Sequence, residues 1–332
     1  MGRKVPTVTA PDSITPNLQA KRIKGKDVAL IRQAREYELI TPLFGGGTET
    51  QKADPVSIIR VPSIRGQLRF WWRAIRGGPF GSDSLGLQRM KEAEDKIFGS
   101  ASIGDKASSS QLQIDLTMAN RGKDLSLVTN YKGKQVHISD ISSPYGYAAF
   151  PLREKKLGTV VNVGFSISLS YPASLTPEIE AALWAWEMFG GIGGRTRRGF
   201  GSLQQKSYKP TVDSVQKDIE GGLTKHLAGN TFPPNVPHLV NNSTLIKITS
   251  PHNNVPDVWE YLIGELKKFR QDRPWNSTKN KPSRSNWHEP DAIRNVTSYA
   301  KYHPPKSSNV NKFPRAAFGL PIIFGDYLLD AG

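Results

Sequence analysis

The segment from Gly190 to Leu203, GGIGGRTRRGFGSL, constrains the fold more than any other part of the sequence. Six of the positions 190–201 are glycines, and such a run does not continue a helix or form a regular strand. It follows a predicted helix over 176–190 and precedes a predicted strand, FGSLQQKSY. A P-loop or a Rossmann turn needs a strand before the glycines and a helix after them. We therefore expect neither ATP nor a nicotinamide cofactor.

The same segment, which we call the Gly/Arg loop, carries three arginines. Glycines let backbone amides approach a ligand closely, and the arginines supply positive charge. We predict that the loop contacts the phosphates of a nucleic acid, and the alternative is a structural hairpin with incidental charge. The predicted contact residues are Gly191, Gly193, Gly194, Arg195, Thr196, Arg197, Arg198 and Gly199.

The positive charge of the chain is concentrated in a few segments. The 332 residues contain 45 Lys and Arg against 29 Asp and Glu, a net charge of +16. The excess lies in residues 1–36, 60–76, 191–201 and 273–284. A surface that only serves solubility mixes its signs, whereas clustered charge favours a polyanionic partner. A nucleic acid is the expected partner.

Composition excludes several classes of protein. The chain has no cysteine, so disulfides, Cys-ligated metal sites and thiol nucleophiles are excluded. With 37% apolar residues and no apolar run of 18, it has enough hydrophobic residues for packed cores but no membrane span. We expect a cytoplasmic, soluble protein without metal or cofactor.

The order of predicted elements indicates an α+β fold. Residues 36–210 are predicted as strand, helix, strands, helix, Gly/Arg loop and strand, which is the order of a ferredoxin-like (RRM-like, βαββαβ) domain with insertions. Residues 211–332 begin a second α+β domain, and residues 1–35 are predicted as a basic N-terminal arm.

The predicted helix after Ser63 carries an arginine face. Its arginines recur at spacings of four, four and three residues, so they share one face, and no acid lies between them. Ser63 is predicted as the N-cap, with free amides behind it for an anion. We predict phosphate contacts; the alternative is a solvated face or ion pairs with distant carboxylates. The predicted contacts here are Arg60, Ser63, Arg65, Arg69, Arg73 and Arg76.

Several motifs together resemble the RAMP superfamily of CRISPR proteins and, more narrowly, the family of the first subunit of the Cmr (type III-B) effector complex. The motifs are spread over most of the chain: ITPLFGGG (40–47), SIRGQLRFWWRA (63–74), the Gly/Arg loop, SRSNWHEPDAIR (283–294) and FPRAAFGLPIIF (313–324). The motifs at 63–74, 283–294 and 313–324 are the more specific to this subunit.

The resemblance implies two ferredoxin-like domains in tandem and a basic cleft for RNA. It implies a noncatalytic subunit that holds the 3′ part of the guide RNA near the guide–target duplex, beside other RAMP subunits. The RNA-facing elements it implies are the two arginine-bearing segments above and the glycines Gly45, Gly46 and Gly47. Arg284, Trp287, Arg294 and Arg315 are further predicted contacts from the second domain.

Two other functions remain open at the level of sequence. RAMP relatives that process guide RNA use a histidine, and His288 is the one histidine here in a charged, loop-like segment. In this first alternative, His288 is catalytic and the chain is a guide-processing endoribonuclease. The other alternative is a structural assembly subunit whose basic loops bind acidic neighbours instead of RNA.

Overall fold

The structure of the protein is a computed structural model. It describes residues 20–23, 26–45, 57–100, 107–229, 231–234, 236–239, 254–271, 275–285, 287, 289–297, 303–304, 322–324 and 327–329. Gly46, Gly47, His288 and Arg315 therefore lie outside the described residues, as does most of the FPRAAFGLPIIF motif.

The described chain consists of strands, helices and short 3₁₀ turns. The strands are β1 (Ala20–Ile23), β2 (Lys26–Leu39), β3 (Gln113–Leu125), β4 (Leu127–Thr129), β5 (Gln135–His137), β6 (Thr159–Pro172), β7 (Leu203–Gln205), β8 (Trp275–Asn276), β9 (Lys281–Pro282), β10 (Ile322–Phe324) and β11 (Tyr327–Leu329). The helices are α1 (Val61–Arg76), α2 (Gly86–Phe98), α3 (Gly146–Ala149), α4 (Thr176–Phe189), α5 (Val212–His226), α6 (Val255–Gln271) and α7 (Glu289–Thr297).

An antiparallel sheet organises the first part of the chain. Its strand order is β1-β2-β6-β3, and β7 pairs with the end of β2. Tyr37 and Glu38 pair with both β6 and β7, so these two strands lie on opposite edges of β2. The succession β2, α1, β3, β6, α4, β7 is the strand and helix order predicted for residues 36–210. The mixed helix and sheet content agrees with the α+β prediction.

The second predicted ferredoxin-like domain is not confirmed. In residues 211–332 the described parts form helices α5, α6 and α7 and the two-stranded pairs β8–β9 and β10–β11. The strand predicted at 244–249 lies outside the described residues. The tandem arrangement stays a prediction.

Two predicted boundaries are wrong. Residues 20–23 and 26–35 were predicted as part of the basic arm, but they form β1 and the first ten residues of β2 and pair in the sheet. Helix α1 begins at Val61 with Arg60 as its N-cap residue, so Ser63 is not the N-cap. Pro62 fits inside the first turn, because that turn leaves its amides without helical partners in any case.

The main core lies between the sheet and the pair α1 and α4. The apolar face predicted for α4 (Ile179, Ala182, Leu183 and Trp186) is buried. On α1, Leu68, Trp72 and Ile75 are buried, and Trp71 is partly buried against Phe189. These side chains exclude water from the sheet and stabilise the fold by the hydrophobic effect. Among the helices described, none has the length and hydrophobicity to cross a lipid bilayer.

Candidate nucleic-acid interface

The Gly/Arg loop closes on itself through backbone hydrogen bonds. The Ile192 amide donates to the Gly201 carbonyl at 2.9 Å, and Gly191 pairs with Ser202 as an isolated bridge. Between these points the chain makes a 3₁₀ turn over Thr196–Arg198. The loop is therefore an ordered part of the fold whose ends are held together.

A second segment, Thr41–Gly45, packs against this loop. The Gly194 amide donates to the Phe44 carbonyl at 2.7 Å, and the Gly201 amide donates to the Pro42 carbonyl at 2.9 Å. Gly45 follows directly, with a φ of +67°. The structure thus brings together Gly45 and the Gly/Arg loop, two of the segments that sequence analysis selected.

Positive φ angles make the loop dependent on specific residues. Gly201 has a φ of +59°, and a Cβ there would collide with the Ile192 carbonyl group. Arg195 adopts the left-handed region with a φ of +56°, which is uncommon for a residue with a side chain. The loop holds this arginine in a backbone conformation that the surrounding hydrogen bonds maintain.

Replacement of Gly201 by alanine is expected to lower the free energy of unfolding by about 2 kcal/mol, because the new Cβ adds left-handed strain and a backbone collision. Gly221 in α5 is the matched control, since a Cβ there meets nothing within 4 Å. We expect Gly221→Ala to leave stability equal or raise it by about 0.5–1 kcal/mol. Urea unfolding of both variants measures the difference. Equal stabilities would contradict the backbone description.

The guanidinium of Arg195 is anchored by neutral groups. Its Nη1 donates to the Ala148 carbonyl at 2.9 Å, and its Cζ lies 4.6 Å from the centre of the Phe150 ring. Burial, followed by the charges of Arg198 and Arg270, lowers the pKa of Arg195 to about 10. The side chain is still protonated at neutral pH, and a bound anion would stabilise its positive charge.

Arg198 lies in the same electropositive cluster. Burial lowers its pKa, and the charges of Arg270 and Arg197 lower it further. Arg197 is exposed and Arg198 is half-buried. Three arginines of the Gly/Arg loop thus lie near a fourth from a distant part of the chain. We call Arg195, Arg197, Arg198 and Arg270 the loop arginine cluster.

Helix α6 completes this cluster, and sequence analysis missed its contribution. The Trp259 Nε1 donates to the Arg198 carbonyl at 2.9 Å, and the Trp259 ring stacks on Tyr145 with centroids 4.5 Å apart. These contacts fix α6 against the loop, and its last turn supplies Arg270. The available signal was the basic end of this helix, KKFR, which sequence analysis placed in a separate domain.

Three arginines of the α1 face, Arg69, Arg73 and Arg76, form ion pairs with distant carboxylates, which is the alternative that the sequence left open. Arg69 donates to Glu94 at 2.6 Å and to Asp95 at 2.9 Å, and Arg73 donates to both oxygens of Glu94 at 2.8 Å. Both carboxylates belong to α2. The sequence shows that no carboxylate lies within α1 itself, and the structure shows that the partners come from a different helix.

Arg76 is also engaged, at the other end of the same helix. It donates to Glu178 at 2.6 Å and to the His226 carbonyl at 3.1 Å. RNA contact by the three paired arginines of α1 stays a prediction, and any phosphate there competes with existing ion pairs.

The first turn of α1 differs from the rest of the helix. The Nε atoms of Arg60 and Arg65 are buried and have no hydrogen-bond partner among the described residues. The amides of Ser63 and Ile64 both donate to the Arg60 carbonyl, at 3.0 and 3.2 Å, so they are not free for an anion as predicted. Arg60 and Arg65 therefore each keep a buried donor without a partner in the described part of the chain.

The predicted contact residues from the last third of the chain differ in their surroundings. Arg284 and Arg294 both donate to Asp291, at 2.7 and 2.8 Å, which offsets their charge. The Trp287 Nε1 donates to the Phe269 carbonyl at 2.9 Å, so Trp287 lies beside the last turn of α6. The structure therefore places Trp287 next to the helix turn that carries Arg270.

No metal site is evident in the part of the chain that the structure describes. Within those ranges, no group of three or more His, Asp or Glu side chains could hold a metal ion. The site as described offers guanidinium groups, backbone amides and aromatic rings, which suit a polyanion.

Comparison with known proteins identifies the family of the chain. A family model of the RAMP superfamily matches residues 36–204, more than half of the chain. The CRISPR system Cmr subunit Cmr1-1 of Pyrococcus furiosus is 32% identical over 153 residues, which are 44% of this chain and 40% of that subunit. Subunit Cmr1-2 of the same organism is 28% identical over 182 residues, 51% of this chain and 92% of that subunit.

A solved structure shares the fold of this chain. The crystal structure of apo Cmr1 from Pyrococcus furiosus superposes with a TM-score of 0.51 at 19% identity, covering 86% of this chain and 81% of the other. The sequence match to Cmr1-1 spans less than half of that relative's length. The likeness in structure extends over most of both chains. This chain belongs to the RAMP superfamily and, within it, is similar to the Cmr1 subunits of the CRISPR Cmr system.

Proposed function

We propose that this chain is a noncatalytic RNA-binding subunit of a type III-B CRISPR (Cmr) effector complex. In this role it holds the 3′-end region of the guide RNA and aids capture of target RNA for antiviral defence. Its partners are guide RNA, target RNA and other Cmr subunits with the RAMP fold, in the cytoplasm. Similarity to Cmr subunits supports the assembly, and the loop arginine cluster supports the RNA contact.

The loop arginine cluster is the observation that carries the proposal. Burial and, after it, the nearby like charges disfavour the protonated guanidiniums, and both causes lower the pKa values of Arg195 and Arg198. A phosphate group placed among the guanidiniums offsets the repulsion and accepts charge-assisted hydrogen bonds. An anionic ligand at this position would therefore stabilise the buried, closely spaced guanidiniums.

The chemistry of the cluster suits a sugar–phosphate backbone more than base edges. Guanidinium–phosphate contacts position a nucleic acid without reading its sequence. In an RNA-guided complex, base pairing between guide and target supplies the sequence recognition. The proposed contacts are the loop arginine cluster with its glycines, together with Arg60 and Arg65 at the first turn of α1.

Arg197→Gln/Arg198→Gln is expected to weaken binding of single-stranded RNA about tenfold at moderate salt. It should also lower the slope of log K against log salt by about 1.4, because each phosphate contact on a single strand contributes about 0.7. Fluorescence anisotropy of labelled RNA, titrated with the full chain at several salt concentrations, measures both quantities.

The control removes two positive charges elsewhere. Lys209 and Lys217 are exposed, on the connection to α5 and on α5 itself, and Lys209→Gln/Lys217→Gln should leave the slope nearly unchanged. Equal slopes for the two double variants would overturn the assignment to the loop. Cleavage of repeat RNA by the purified chain, lost in a single histidine variant, would overturn the noncatalytic role.

A further inference from the structure

The tip of the β4–β5 hairpin exposes an aromatic side chain that the loop arginine cluster does not include. Tyr131 is 78% exposed, the second most exposed large hydrophobic or aromatic side chain in the described part. It lies in the turn Asn130–Lys134, between β4 and β5. An exposed aromatic ring at a hairpin tip presents an open π-face on which another planar group can stack.

The turn beneath Tyr131 is rigidly built. The Asn130 side chain is buried, and its Oδ1 accepts hydrogen bonds from the amides of Lys132 and Lys134, both at 3.0 Å. The Gly133 amide donates to the Asn130 carbonyl at 2.9 Å, and Gly133 has a φ of +74°. The tip therefore presents its side chains on a preorganised backbone, which lowers the entropy lost when a ligand binds.

The charge around the ring selects the type of ligand. Lys132 places its Nζ 5.6 Å from the centre of the Tyr131 ring, and Lys134 follows two residues later. Residues 130–137 carry these two lysines and no acid. A purely apolar protein partner has no use for the lysines, whereas a nucleic acid matches the ring with a base and the lysines with phosphates.

We propose that Tyr131 is a stacking platform for an unpaired base of single-stranded RNA, with Lys132 and Lys134 contacting the flanking phosphates. This inference rests on the proposed function, because it assigns the chain a second RNA contact. The interaction is stacking on a π-face and tolerates any base. It differs in kind from the phosphate contacts of the loop arginine cluster.

The test compares Tyr131→Leu with Tyr131→Phe in the full chain. Tyr131→Leu should weaken binding of an unstructured RNA oligonucleotide about 5- to 100-fold, because a stacked base contributes this much to affinity. Its salt slope should equal that of the unmodified chain, since no charge changes. Tyr131→Phe keeps the π-face and should stay within about twofold. Binding of an RNA duplex of equal length should not change, because its bases are already stacked on each other.

The matched control is Ile141→Ala, which truncates another strongly exposed apolar side chain (82% exposed). It should leave RNA affinity unchanged, and thermal unfolding should show that the Tyr131 variants remain folded. If the unmodified chain binds no RNA, the proposed function itself fails. If it binds RNA through Arg197 and Arg198 but Tyr131→Leu binds equally well, the stacking platform alone is overturned. Loss of a protein partner with unchanged RNA affinity would also overturn it.

Discussion

Replacement of Glu94 by alanine is expected to lower the free energy of unfolding by about 3 kcal/mol. The Glu94 side chain is 5% exposed and accepts hydrogen bonds from both Arg69 and Arg73. Removing one member of a buried ion pair leaves the remaining charge desolvated without compensation, which typically costs about 3–5 kcal/mol. We expect the lower end of this range, because the Arg73 side chain is 34% exposed and partly screened by water.

The control lies on the same helix two residues earlier. Glu92 is exposed and accepts a hydrogen bond from Gln88 one turn earlier. Glu92→Ala removes the same charge and should change stability by less than about 0.5 kcal/mol. Urea unfolding monitored by tryptophan fluorescence measures both variants. Similar losses for Glu92→Ala and Glu94→Ala would refute the buried network.

The same variant examines the role of the α1 arginines. Without Glu94, Arg73 loses its carboxylate partner and becomes available to phosphates, whereas Arg69 keeps its ion pair with Asp95. An increase in the salt slope of RNA binding by Glu94→Ala would show that this face of α1 lies within reach of the RNA. An unchanged slope would show that these arginines serve the fold alone.

Replacement of Arg35 by methionine is expected to destabilise the chain by about 3–5 kcal/mol. Arg35 on β2 bridges two carboxylates of α4, at 2.6 Å from Glu180 and 2.9 Å from Glu187. Both the Arg35 and the Glu187 side chains are nearly buried, at 14% and 12% exposure. Methionine keeps the unbranched apolar stem of the side chain but leaves both carboxylates without their shared cation, which is the costly case.

The network around Arg35 extends to neutral donors. The Tyr37 hydroxyl donates to Glu187 at 2.7 Å, and Gln33 donates to Glu180 at 2.6 Å. Arg32→Met is the control, because Arg32 is an exposed arginine on the same strand. Its loss should cost less than about 0.5 kcal/mol in the same unfolding measurement. Equal losses for both arginines would contradict the bridging role.

Acidification should reduce the difference in the free energy of unfolding between Arg35→Met and the unmodified chain. Burial alone raises the pKa of Glu180, but the hydrogen bond from Gln33 and the charge of Arg35 outweigh it and hold the pKa below its usual 4.5. A carboxyl with a lowered folded pKa contributes stability above its unfolded pKa and loses it as the pH falls through the folded value. The stability gap should therefore shrink below about pH 4. A gap that widens there would contradict the ion pair.

The local elements could be predicted from the sequence because their signals are local. Helix α4 shows Pro177 in its first turn and apolar residues at helical spacing, and all of those apolar residues are buried. The glycines before and after Arg195 predict an irregular, closely packed loop. The first ten residues of β2, KDVALIRQAR, were missed because they show weaker alternation than the REYELI segment at the end of the strand.

The partners of the arginines were not predictable in the same way. Arg69 and Glu94 are 25 residues apart, and Arg76 and Glu178 are 102 residues apart. The sequence shows which side chains carry charge, and it shows that the Gly/Arg loop and the α1 face are basic. Only the tertiary structure decides that carboxylates of α2 and α4 neutralise the α1 face while Arg270 of α6 joins the loop. An ion pair depends on distance in space, and helix packing, not spacing along the chain, sets that distance.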